Sequence, residues 1–292
     1  MTAPRLFCFG MGYAATALAR SLIAQGWRVA GTSRSAEGVR AIVALGAEGV
    51  RFAPGQPLAD AHAALERTTH LLSSVPPGEA GDPVLAAHGG DIARAGGLAW
   101  VGYLSATSVY GDRGGGLVDE TAAVAPSSAR GRRRAGAEQD WLGLGRAHGL
   151  AVHVFRLAGI YGPGRSALDQ VRAGRARRID QPGHSFARIH VEDIVTALCA
   201  SMARPRAGAI YNLCDDAPAP SAEVVAYACE LLGAAPPPLV PFAEAARSMS
   251  AMQREFWADN RRIDNRLMHE ELGVVLRHPS YREGLRAILA GG

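Results

Sequence analysis

RLFCFGMGYAATALARSLIAQGWRVAGTSR, Arg5 to Arg34, is the stretch whose reading decides the fold. Leu6 to Phe9 is a short apolar run, read as a strand. Gly10, Gly12 and Ala15 follow at the spacing G-x-G-x-x-A. Apolar residues then recur at helical spacing, at Ala15, Leu18, Ala19, Leu22 and Ile23, and Gly26 ends the helix. Trp27 to Gly31 is a second apolar run. Strand, glycine turn, helix and strand in this order make the unit that holds a dinucleotide. The first glycine permits the tight turn. The second lets a pyrophosphate come close to the backbone, and Ala15 is small enough for helix and strand to pack. Free N–H groups at the helix start, with the dipole behind them, attract phosphate. Gly10, Met11, Gly12, Tyr13, Ala14 and Ala15 are therefore the expected phosphate-binding turn.

The second strand runs into TSRS, Thr32 to Ser35. In a dinucleotide fold this point meets the adenosine ribose, where an acidic residue accepts from the 2′-OH and favours NAD. No acid stands here. Arg34 can pair with a 2′-phosphate and Ser33 can add a hydroxyl, so the expected cofactor is NADP(H) rather than NAD(H).

Beyond this unit, strands and helices alternate. Helices are expected over Glu37 to Leu45, Asp60 to Arg67 and Pro83 to Ala95, and from about Pro126 and Val191 onward. Strands are expected over Gly49 to Phe52, Thr69 to Val75, Leu98 to Leu104, Ala151 to Leu157 and Ala209 to Leu213. This predicts an α/β fold, a doubly wound parallel Rossmann sheet, with ligands at the carboxyl ends of the strands. Ser73, Ser74 and Val75 are then expected to wall the cofactor. Arg172 to Arg178 reads as a solvated basic face. After Ala217 the composition shifts, with proline-rich segments around one helix, Ser221 to Leu232, and two short helices near the end. That tail is expected to build no sheet of its own. The expected division is a dinucleotide-binding domain over 1–165, completed by 185–216. Residues 166–184 and 217–292 would form a small, mostly helical cap that takes the substrate.

The 292 residues are 48% hydrophobic and 20% charged, enough for a large core and against general disorder. No apolar run is long enough to span a membrane, so a soluble, cytoplasmic protein without membrane partners is expected. Cys8, Cys199, Cys214 and Cys229 show no metal-like spacing, and no metal is expected. The net charge of +4 comes without a continuous basic stripe or interleaved aromatics, which argues against nucleic acid. All 31 residues counted as Lys+Arg are arginine. Without lysine there is no Schiff-base lysine, Walker lysine or lysine-assisted tyrosine.

The order of motifs resembles the extended short-chain dehydrogenase/reductases, the NAD-dependent epimerase/dehydratase family. The resemblance covers nearly the whole chain. It is carried by the Gly10 to Ala15 turn, SVYGD at Ser108 to Asp112 and VDET at Val118 to Thr121. RLAGIYGPGR at Arg156 to Arg165, IHVEDI at Ile189 to Ile194 and YNLCDD at Tyr211 to Asp216 complete the set. The G-x-G-x-x-A form departs from that family's usual G-x-x-G-x-x-G and points to its atypical members. The resemblance adds Ala158 and Ile160 to the expected cofactor contacts. It implies a Tyr in Y-x-x-x-K as general acid/base, a Lys that lowers its pKa and holds the ribose, and a Ser or Thr on the reacting oxygen.

This chain departs at all three positions. The segment matching the family's P-x-S-x-Y-G-x-S-K-x-x-A-E runs from Pro126 to Glu138, with Arg130 at the Tyr position and Arg134 at the Lys position. Ala106 stands where the Ser/Thr belongs. An arginine stays protonated and cannot cycle a proton, although Arg134 can keep the lysine's electrostatic and ribose-binding role. Ser105 or Thr107 could supply a hydroxyl after a one-residue shift. Tyr110, Tyr161 and His190 are the candidate proton donors. Asp193, Cys214 and Asp215 read as structural. Arg156, Arg165 and Arg188 could hold an anionic substrate; the alternative for each is a buried ion pair or a cation on the loop. Three functions follow. The first is an NADP-dependent oxidoreductase or epimerase with an atypical centre, acting on a small carbonyl or sugar-nucleotide substrate. The second is an inactive NADP-binding sensor or partner-binding protein. The third is a nucleic-acid binder, which the arginine pattern does not favour. A monomer or homodimer is expected.

Overall fold

The computed structural model describes residues 3–291. Its first strands are β1 Arg5–Phe9, β2 Arg28–Ser33, β3 Glu48–Arg51, β4 His70–Ser73, β5 Trp100–Ala106, β6 Leu117–Val118 and β7 Val152–Leu157. β8 Gly159–Tyr161, β9 Arg178–Asp180, β10 Arg188–His190, β11 Ile210–Leu213, β12 Leu239–Pro241 and β13 Arg262–Ile263 follow. The helices begin with α1 Tyr13–Ala24, α2 Ala36–Ala44, α3 Ala61–Leu65, α4 Pro83–Arg94, α5 Ala129–His148 and α6 Ala167–Arg172. They continue with α7 Val191–Ala203, α8 Ser221–Leu231, α9 Phe242–Ala245, α10 Ala251–Ala258, α11 Arg266–Leu272 and α12 Tyr281–Ala290.

Seven strands form one sheet in the order β11-β7-β5-β4-β1-β2-β3, with β1 parallel to both β2 and β4. This is the doubly wound α/β arrangement. The chain winds outward from β1 to β3, then returns to lay β4 on the other side of β1. That reversal opens a crevice at the carboxyl ends of β1 and β4, where such sheets bind ligands. β1 is buried along its whole length because helices cover both sheet faces, so its run of Leu6, Phe7, Cys8 and Phe9 needs no alternation. The core around it takes in Phe7, Phe9, Phe52, Leu71, Tyr103 and Trp141. α1 turns Ala14, Ala15, Leu18, Ala19 and Leu22 inward at the helical period.

Two compact units emerge from the contacts. One holds Met1–Ala106, Arg132–Arg156 and Val195–Tyr211, and with them the central sheet's first five strands. The other holds Thr107–Gly131, Leu157–Ile194 and Asn212–Gly292. Within the second unit, three small parallel pairs form: β8 with β10, β9 with β12 and β6 with β13. The tail supplies β12 and β13 but no sheet of its own: each pairs with a strand outside it, β9 and β6. β12 and β13 are too short to show a period of two, and each finds its partner far back in the chain. The tail also holds α10, closed by a capping box between Ser250 and Gln253. Arg178 belongs to β9 and is half-buried, whereas Arg172, Arg175 and Arg177 are exposed, so the solvated basic face ends before it. Among the described residues no helix is long and apolar enough to cross a membrane.

Candidate functional site

β1 ends at Phe9 and the chain turns at Gly10, whose φ of +79° suits glycine. Gly10 N–H donates to Thr32 Oγ1 at 2.8 Å, and Met11 N–H to the Thr32 carbonyl at 2.9 Å. The Ser74 hydroxyl donates to the Gly10 carbonyl. Ser74 N–H donates to the Phe9 carbonyl at 2.9 Å. The ends of three strands are thus tied around one turn. A methyl on Gly10 would lie 3.0 Å from both Ser74 Oγ and Val75 Cγ2. Gly12 differs: an added Cβ would meet nothing nearer than Ser74 Oγ at 3.9 Å. Gly12 caps α1 without a side-chain hydrogen bond, and the first turn carries no acidic residue. Gly12 N–H donates to the Gly10 carbonyl at 2.9 Å, and the open space over a helix N-terminus without a side-chain cap fits a pyrophosphate. Ala15 is fully buried, as close packing of helix on strand requires. Met11 lies over Gly31, where a Cβ would come within 2.1 Å of Met11 Cε.

Arg34 stands exposed after β2, and Ser33 is half-buried beside it. Ser35 accepts from Gly38 N–H at 3.0 Å and caps α2, so the polar run also starts a helix. Ser73 is fully buried and its hydroxyl has no partner, whereas Ser74 and Val75 bracket the glycine turn.

In the same unit β5 ends on Ala106. The Ser105 hydroxyl donates to Glu138 Oε1, and Glu138 accepts from Arg156 Nη2 at 2.8 Å and from Arg156 Nε at 3.2 Å. Ser105, Glu138 and Arg156 are 3%, 3% and 2% exposed. Ser105 is therefore committed to structure, and Arg156 takes the buried ion-pair alternative. Arg134 Nη1 donates to the Leu104 carbonyl at 2.6 Å, which fixes a cation against the backbone of β5. The Tyr103 hydroxyl is buried, and burial raises its pKa against the opposing pull of Arg134.

The second unit holds the other candidates. Thr107 opens a 3-10 turn and is buried. Arg130 is exposed in the first turn of α5. Tyr110 donates to Asn212 Oδ1 at 2.7 Å, and Tyr161 to the Ser280 carbonyl at 3.2 Å. Burial first, then the Asp215 and Asp193 carboxylates, push the Tyr161 phenol upward. Both phenol protons are thus engaged. His190 is 2% exposed, and burial lowers its pKa to about 4, so it is neutral at pH 7. Its Nδ1 accepts from Glu192 N–H at 3.3 Å, and its Nε2 has no partner. Asp193, at the start of α7, accepts from Arg277 N–H at 2.7 Å and His278 N–H at 3.1 Å, which is a structural role. Arg188 Nη1 donates to the carbonyls of Phe186 and Ala219 at 2.8 and 2.9 Å. Arg165 is exposed in the turn after β8. Ala158 is buried and Ile160 half-buried within that segment.

Asp215, read from the sequence as structural, has the surroundings of an acid. It follows β11, is 2% exposed, and neither carboxylate oxygen has a hydrogen bond of good geometry, although the Arg188 and Ala217 backbones lie near enough to favour its charged form. Burial raises its pKa to about 8, and the Arg188 charge pulls it back only in part. A carboxyl that holds its proton near neutral pH is a candidate acid. Its position after the last strand of the sheet is legible, but its burial is not.

The model of the NAD dependent epimerase/dehydratase family matches residues 90–214. Protein YeeZ of Escherichia coli K12 is 33% identical over 238 residues, 78% of this chain and 84% of that one. A 3-diazoavenalumate denitrifying reductase of Streptomyces is 32% identical over 142 residues, 47% of this chain and 46% of its own. Among solved structures, a conserved protein of unknown function from Silicibacter pomeroyi shares 50% identity over 99% of both chains, with a TM-score of 0.91. The dTDP-glucose 4,6-dehydratase of Bacillus anthracis, solved with NAD, is 16% identical over 99% of this chain and 96% of its own. Its TM-score of 0.78 speaks for the fold alone. With the glycine turn, the doubly wound sheet and these relatives together, the chain belongs to the NAD-dependent epimerase/dehydratase family.

Proposed function

We propose that the protein is an NADP-dependent oxidoreductase for a small carbonyl or sugar-nucleotide substrate, with a centre that lacks Tyr-x-x-x-Lys. The observation that carries this reading is the open space over Gly12, at a helix N-terminus with no side-chain cap and no acid in its first turn, at the sheet's switch point. Arg34, with no carboxylate beside it, supports NADP over NAD. Bound there, the cofactor would supply or accept a hydride. Arg134, held on the Leu104 carbonyl, would keep the cation that orients the ribose. The Streptomyces relative is named a reductase, which agrees with redox chemistry.

Reduction suits this centre better than epimerisation. Epimerisation through a keto intermediate asks one group to take a proton and return it. Arg130 cannot do so, and Ser105 is bound to Glu138. Reduction needs one proton, which water can deliver. The same observations favour a second reading, a nucleotide-binding protein without turnover.

NADPH fluorescence tests both. Binding should be at least about tenfold tighter than NADH binding, a difference near 1.4 kcal/mol, and Arg34→Asp should abolish the preference. No binding at millimolar cofactor overturns both readings. Oxidation of NADPH with a panel of carbonyl and sugar-nucleotide substrates separates them. The triple variant R130Y/R134K/A106S should raise turnover about 100-fold if only the acid/base group is missing. A variant that binds NADPH yet stays inert supports the second reading.

A further inference from the structure

We propose that His190, Glu192 and His278 form a three-ligand site for a divalent transition-metal ion of the Zn²⁺ class. The inference stands apart from the nucleotide reading, because all three residues lie within the second unit. One ring nitrogen of each histidine and one Glu192 oxygen lie within 4.8 Å of one another. His278 Nε2 and Glu192 Oε2 are already 3.0 Å apart. Ligands on a tetrahedral ion with bonds of about 2.0 Å stand about 3.3 Å from each other. One edge of the site is therefore nearly at its final length, and the others need a contraction of an ångström or so.

The chain supplies the means for that contraction. Glu192 is about half exposed and can rotate. The His190 ring is held by one long hydrogen bond, from Glu192 N–H, and its buried Nε2 has no partner. Turning the ring forfeits that bond and alters its edge contact with Tyr161, 5.1 Å between centroids. His190 closes β10 and Glu192 lies in the first turn of α7, so the strand-to-helix junction presents both ligands two residues apart. The third ligand comes from far along the chain but does not wander. Asp193 accepts from the backbone of both Arg277 and His278, which pins His278 against the start of α7. The His190 and His278 ring centroids are 3.9 Å apart, so the two imidazoles already lie side by side.

Two features oppose a cation here: the positive end of α7 and the Arg277 charge that acts on Glu192. The carboxylates of Glu192 and Asp193, both in the first turn of α7, offset them. Two imidazoles and one carboxylate form the mixed nitrogen and oxygen set that Zn²⁺ takes, and they leave a fourth position for water. In the absence of metal, the Glu192–His278 contact is an ordinary ion pair or hydrogen bond, and the experiment must distinguish the two cases.

The full chain, stripped with chelator at pH 7.5, is titrated with Co²⁺ and followed by its visible ligand-field bands and by calorimetry. Expected are one ion per chain, the bands of a four-coordinate nitrogen and oxygen site, and displacement by Zn²⁺. Glu192→Gln and His278→Gln should each weaken binding about 100-fold or more, on the scale at which even outer partners matter. His148→Ala, which removes an exposed histidine outside the site, should leave it unchanged. Absence of saturable binding at millimolar Co²⁺ overturns the site. So does wild-type affinity in either Gln variant, since the ion would then sit elsewhere. Should His278→Gln fail to fold, the Glu192→Gln arm, on a half-exposed side chain, still decides.

Discussion

Gly10 and Gly12, two positions apart, are glycines for opposite reasons. Gly10 needs its left-handed φ and has neighbours 3.0 Å from where a methyl would go. Gly12 has a common backbone conformation and open space over it. Gly10→Ala should therefore cost about 1–2 kcal/mol of stability, read by urea unfolding. Gly12→Ala should cost less than about 0.5 kcal/mol yet weaken NADPH binding at least about tenfold. Equal effects of the two on stability would sink the distinction. This turn was legible in the sequence because its physics is local: small residues are forced at fixed spacing. Ser105 and Asp215 were not legible for the opposite reason. Nothing near Ser105 in the chain shows that Glu138, a helix away, takes its hydroxyl. Nothing near Asp215 shows that both its oxygens are shut away from water.

At the scale of elements, α5 carries two of the three departures from the family triad, Arg130 and Arg134, and a buried charge. Glu138 on α5 meets Arg156 on β7, with both side chains 3% exposed. Such a pair need not add net stability, but breaking it leaves a charge poorly compensated in the interior. Glu138→Ala should cost about 3–5 kcal/mol, and Glu138→Leu with Arg156→Met should recover most of it. Denaturant midpoints of the single and double variants check this; a loss in the double variant equal to that in the single would refute it. Long elements were legible because periodicity accumulates over many residues. β1, α1, α4 and β7 lie within a residue or two of their expected bounds. β6, β12 and β13, of two or three residues, hold no such signal and exist only through their distant partners.

For the whole molecule, protonation limits stability from both sides. Burial holds His70 and His153 at about 4, against 6.5 when free. His153 Nε2 accepts from Arg206 N–H at 2.7 Å, so charging that ring also breaks a backbone bond. Both folded-state pKa values are depressed. The unfolded chain therefore binds more protons between pH 4 and 6.5, and stability is lost as pH falls through that window. Asp215 has the opposite sign. Its pKa, raised from 3.8 to about 8, means that its contribution is present in acid and lost as pH rises from 3.8 to 8. Thermal melts should show a lower Tm at pH 5 than at pH 7, by at least about 2–4 °C, the shift for about 1 kcal/mol in a large domain. Asp215→Asn should flatten the decline on the alkaline side. A Tm independent of pH from 5 to 9 would contradict both assignments.

The second unit is assembled from three separated pieces of chain, and β13 pairs with a strand some 145 residues before it. During synthesis at about 5–20 residues per second, β6 leaves the ribosome about 7–30 s before its partner exists. In that interval Leu117 and Val118 form part of an unpaired edge on a nascent chain. The β6–β13 pair thus closes only after most of the chain has been made, and β6 is the edge that gains most from a chaperone's cover until then.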